Sequence, residues 1–69
     1  MNNRKYITIN YGKNNQFMIS YPSINYLIKN APSLLENMIK YNKKIYNLLE
    51  KDADQMRKSL KLELDKLKR

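Results

Sequence analysis

The sequence predicts an α+β fold: an N-terminal β-hairpin, a short helix, and a long C-terminal amphipathic helix that forms a coiled-coil-like oligomer. Three observations predict it. Apolar residues alternate with a period of two as far as Tyr21, a helix-start signal stands at Ser33, and from Ser33 to Arg69 no Gly or Pro interrupts the chain. The division is residues 1–32 for hairpin and short helix and residues 33–69 for the long helix, within one domain.

In the hairpin, Ile7, Ile9 and Tyr11 alternate with Tyr6, Thr8 and Asn10, and after GKNN the set Phe17, Ile19, Tyr21 alternates with Met18 and Ser20. The two apolar sets share a face if Tyr11 stands opposite Phe17, Ile9 opposite Ile19 and Ile7 opposite Tyr21. The loop is then Lys13-Asn14-Asn15, with an Asn to take the left-handed position that such a loop needs.

Pro22-Ser23 ends the second strand, and Ser23 caps a short helix carrying Ile24, Leu27 and Ile28 on one side. Asn30-Ala31-Pro32 closes it, because the residue before a proline is pushed out of the helical region. Ser33-Leu34-Leu35-Glu36 has the capping-box form, in which hydroxyl and carboxylate satisfy each other's free backbone donors. A second helix starts there.

Whether that helix runs to the end turns on Asp52. Asp52-Ala53-Asp54-Gln55 could start a further helix, yet neither Glu50 nor Lys51 is the Gly or Asn that usually ends one. Helical phase favours continuity: Leu34, Leu35, Met38, Ile39, Ile45, Tyr46, Leu48 and Leu49 fill an arc of roughly 180°, and Ala53, Met56, Leu60, Leu64 and Leu67 fall inside it. A continuous helix would be a rod of roughly 54 Å, too long to pack on its own hairpin, so its far half needs a second chain. The seam Ile39, Asn42, Tyr46, Leu49, Ala53, Met56, Leu60, Glu63, Leu67 has the 3-4 spacing of a coiled coil, Leu64 replaces Glu63 if the register drifts, and the expected interface is Ile39, Tyr46, Leu49, Ala53, Met56, Leu60, Leu64 and Leu67. Glu36–Lys40, Asp54–Lys58 and Asp65–Arg69 stand four apart, acid first, as helix-supporting pairs.

Composition bounds the chemistry. The 69 residues have no Cys and no His, which excludes disulfides, thiol nucleophiles and imidazole proton transfer and leaves little basis for a structural zinc. A single Gly excludes a glycine-rich phosphate loop. All six carboxylates lie on the long helix, and Asp52/Asp54 and Glu63/Asp65, two apart, point away from each other there. The expectation is a chain that is not an enzyme and uses neither cofactor nor metal. No apolar run is long enough for a membrane span or a signal-peptide core, so membrane is an unlikely partner and a soluble, cytoplasmic protein is expected.

Fourteen Lys and Arg against six Asp and Glu give a net charge of +8, which draws the chain toward polyanions. The ten Asn, eleven Lys and seven Ile also fit an AT-rich genome, whose codon bias would raise the Lys count whatever the function. Residues 1–32 hold no acid at all, and Lys40, Lys44, Lys51 and Lys58 align on a continuous helix opposite its apolar stripe. The first functional expectation is a small homodimeric nucleic-acid-binding regulator or accessory protein, of the kind found in viruses and mobile elements. Arg4, Lys5, Lys13, Lys40, Lys43 and Lys44 would contact phosphate. The second is an adaptor or inhibitor that binds a host protein through the hairpin or the helical rod.

Overall fold

The computed structural model describes residues 5–68; Arg4 and Arg69, which belong to the expected phosphate contacts and helix pairs, lie outside them. The chain is α+β: strands β1 (Lys5–Tyr11) and β2 (Asn15–Tyr21), then helices α1 (Ile24–Tyr46) and α2 (Glu50–Leu67). A hairpin is present as expected, though in another register, the helices are divided differently, and the long dimension is 35 Å rather than the length of a rod. No helix among the described residues is long and apolar enough to cross a membrane.

The strands pair antiparallel with Ile9 opposite Phe17, Ile7 opposite Ile19 and Tyr11 opposite Asn15. This differs by two residues from the expected register. A shift of two leaves every side chain on its expected face, since strand side chains repeat every second residue. Glycine decides the shift: Gly12 takes a φ of 62°, so the loop is Gly12-Lys13-Asn14 and the left-handed position is its first residue. Tyr11 and Phe17 become diagonal neighbours, their rings 6.0 Å apart and tilted by 58°.

Helix α1 begins where expected, with the Ser23 hydroxyl accepting the Tyr26 amide at 3.2 Å. It does not stop at Pro32. It runs through the proline to Tyr46, and Ser33 and Glu36 lie inside it rather than forming a capping box. Leu27, Ala31, Leu35 and Ile39, each four apart, are buried along one continuous face on both sides of Pro32. Tertiary burial along that face outweighs the local cost of the proline.

The expected coiled-coil oligomer is overturned at Asn47. Asn47 is left-handed (φ 53°, ψ 44°), its amide and that of Leu48 both donate to the Asn42 carbonyl, and α1 ends. Leu49 is extended, and its carbonyl accepts from Asp52 and Ala53 to open α2, which places Glu50 and Asp52 in the first turn where the helix dipole favours acids. The stop signal is an Asn five residues before Asp52. Matched phase does not distinguish a rod from a helical hairpin, because antiparallel helices also aim both apolar stripes into one core. Ile39, Ala53, Met56, Leu60 and Leu64 are accordingly buried against Ile7, Ile9 and Tyr21 of the same chain, with Leu67 partly buried beside them. Tyr46 and Leu49, at the turn, are exposed instead.

Helix α2 also closes the outer edge of β1. The Ser59 hydroxyl accepts the Asn10 amide at 2.9 Å and the Gln55 amide oxygen accepts the Gly12 amide at 2.6 Å. Two strand residues advance about 6.8 Å and four helical residues about 6 Å, so the two elements stay in step.

Candidate nucleic-acid interface

The surface chemistry is organised by one arginine. Arg57 on α2 donates from Nε and Nη2 to the two carboxylate oxygens of Glu36 on α1, at 2.7 and 3.0 Å. Its Nη1 reaches Asp54 at 2.7 Å and Glu50 at 3.4 Å, and Lys43 pairs with Glu50 from the other side. The hydrogen bond to Glu36 chiefly raises the Arg57 pKa above its ordinary value. Arg57 in turn holds Glu36 below the usual carboxylate range, and Lys43 does the same for Glu50. Glu36 and Asp54 therefore serve Arg57 rather than the expected neighbours Lys40 and Lys58.

Three of the six acids are gathered there. Glu63 pairs with Lys66, Asp52 and Asp65 form no described ion pair, and Lys5, Lys13, Lys29, Lys40, Lys44, Lys51, Lys58, Lys61 and Lys68 pair with no described carboxylate. The hairpin carries no acid, and the single acid of α1, Glu36, is turned to α2.

The expected phosphate contacts are only partly brought together. Lys40 and Lys44 are exposed one turn apart on α1. Lys13 is exposed in the hairpin loop, which Gly12 ties to Gln55 near the start of α2. Lys43 is half-buried and committed to Glu50. Lys5 stands at the far end of the hairpin, about 20 Å from the loop. The row of Lys40, Lys44, Lys51 and Lys58 is divided between two antiparallel helices. Lys51 and Lys58, two turns apart, share a side of α2, and Lys58 lines the same shallow groove as Gly12, Gln55 and Ser59.

No protein-family model, curated protein or solved structure matches this chain. The reading of its surface therefore rests on geometry. Sequence reasoning passed over Arg57, although a lone interior arginine among eleven lysines was a usable signal: only its planar fork engages a carboxylate by two parallel bonds. Among the described residues no cluster of three or more potential metal ligands occurs.

Proposed function

We propose that the chain is a small nucleic-acid-binding accessory protein that holds the phosphate backbone through lysines around the α1–α2 turn and the hairpin loop. The observation that supports this most directly is the segregation of charge. Arg57 and Lys43 engage Glu36, Glu50 and Asp54, so Lys40, Lys44, Lys13 and Lys51 are left with no described counter-ion. Lysines free of internal partners can neutralise phosphate without first breaking an ion pair, and release of counter-ions from the nucleic acid then drives binding. Tyr46, 70% exposed at the same end, offers a ring on which a base can stack.

The test is fluorescence anisotropy with a labelled duplex and a labelled single strand over a salt series. Affinity should fall steeply between about 50 and 200 mM salt, and Lys40→Glu/Lys44→Glu should lower the logarithmic slope by nearly two. Lys66→Glu/Lys68→Glu makes the same change in net charge at the other end of α2 and should have the smaller effect. Equal losses in the two variants would reduce the binding to net charge and defeat the residue assignment. A protein-binding adaptor is the second reading, favoured by the exposed apolar residues Leu34, Met38, Tyr41 and Ile45 along α1.

A further inference from the structure

From Asn37 to Tyr46, the C-terminal part of α1, the chain carries Lys40, Lys43 and Lys44 and no acid. Glu36 and Lys43 turn toward α2, where they meet Arg57 and Glu50. Leu34, Met38 and Tyr41 lie at least roughly 140° around the helix from both of them, so they look away from α2. There α1 bears an open groove of about 530 Å³, lined by Leu34, Asn37, Met38, Tyr41, Asn42 and Tyr46. Burial within the chain does not account for its rings: Tyr41 is 60% exposed.

Three kinds of group meet along this groove. Lys40 and Lys44 follow Asn37 and Tyr41 by three positions, which makes each pair neighbours on the helix surface and gives the groove one positive flank. Tyr46 lies roughly 140° around α1 from Tyr41, with Met38 and Asn42 between, so the two rings stand on opposite flanks. The side-chain amides of Asn37 and Asn42 form no hydrogen bond among the described residues. Ring faces, unpaired amides and unpaired cations are thus offered together.

Resting on the nucleic-acid reading, we infer that this groove takes unpaired bases, so that the ligand is a single-stranded polynucleotide rather than a duplex. A base has two apolar faces and a polar edge. In a duplex the faces are stacked and the pairing edge is consumed, whereas a single strand leaves both free. Tyr41, Tyr46 and Met38 supply surfaces for the faces, and an asparagine amide, with its donor and acceptor side by side, suits the edge. Lys40 and Lys44 hold the phosphates along the flank, and the bases turn inward. An acyl chain or an aliphatic side chain would fill the apolar part and leave both amides facing groups that cannot pair with them.

The probes are oligothymidylate and oligouridylate of about 12 nucleotides, neither of which pairs with itself, and a DNA duplex of equal length, followed by anisotropy on the full chain. The better single strand should bind at least about tenfold tighter than the duplex, and which of the two it is identifies the source as DNA or RNA. On that strand Tyr41→Ala and Tyr46→Ala should each weaken binding at least about fivefold with an unchanged salt slope. Phe at either position should bind as the wild type does, and Leu should not, since only a planar ring stacks. The chain has no Trp, so its emission comes from tyrosine, and the quenching seen on binding should shrink in Tyr41→Phe/Tyr46→Phe at equal affinity. Equal or tighter binding of the duplex overturns the inference, as does a Leu variant that matches the wild type, which would give the groove to apolar groups of a protein. In both cases a loss on Lys40→Glu/Lys44→Glu would leave the proposed function standing. Absence of binding to all three probes at about 50 mM salt overturns both.

Discussion

Arg57 and Glu36 are joined across the α1–α2 seam by two parallel hydrogen bonds, with Glu50 and Asp54 completing a ring of acids around the same guanidinium. The pair spans 21 positions of sequence and forms only when the second helix folds back on the first.

That pair sets a pH dependence with a definite sign. Glu36 and Glu50 have lower pKa values folded than unfolded, so as pH falls the unfolded chain takes up their protons first. Their stabilisation is present above the ordinary value of 4.5 and is lost as pH drops through the lower folded values. Urea midpoints should be flat from neutral pH to about 5 and then decline. The gap between wild type and Arg57→Met should shrink over the same acid range, and a gap constant down to about pH 3 would show that these carboxylates are not the cause.

The turn at Asn47 is a second place to test the fold. Its left-handed backbone suits Gly or Asn and penalises a β-branched residue. Asn47→Gly should leave stability within a few tenths of a kcal/mol, whereas Asn47→Val should cost about 1–2 kcal/mol in denaturant unfolding. A continuous helix would give the opposite order, since Gly is a poorer helix residue than Val.

Leu49, Ala53 and Met56 separate the helical hairpin from a rod most sharply. Leu49 is 56% exposed, while Ala53 is fully buried and Met56 nearly so. Leu49→Lys should change stability by less than about 0.5 kcal/mol, Ala53→Leu should cost about 1–3 kcal/mol by overpacking, and Met56→Ala about 2–5 kcal/mol by leaving a cavity. Thermal melts on the three variants measure this. Comparable losses at all three positions would restore the rod.

The strands were legible in the sequence because a period of two is a local property that no distant contact can alter. The helix boundaries were not. Pro32 and the Ser33-to-Glu36 signal are local stop and start cues, and the long-range burial of Ala31, Leu35 and Ile39 overrode both. Asn47 was a readable cue, but Asp52 and Asp54 are the more conspicuous residues and belong to the first turns of α2. Of the phosphate-binding candidates, charge type and exposure were legible for Lys13, Lys40 and Lys44. The diversion of Lys43 was not, because it depends on Glu50 lying across a turn whose position the sequence reading missed.

The Gly12 and Asn10 amides held by Gln55 and Ser59 also set an order of events during synthesis. Their acceptors lie 43 and 49 positions farther along the chain. On the ribosome the hairpin is therefore complete while the outer edge of β1 is bare, and it stays so until most of α2 has emerged. A chain stalled or cut before Gln55 would leave the Asn10 and Gly12 amides without these acceptors, and the outer edge of β1 would then be open to pairing with another chain.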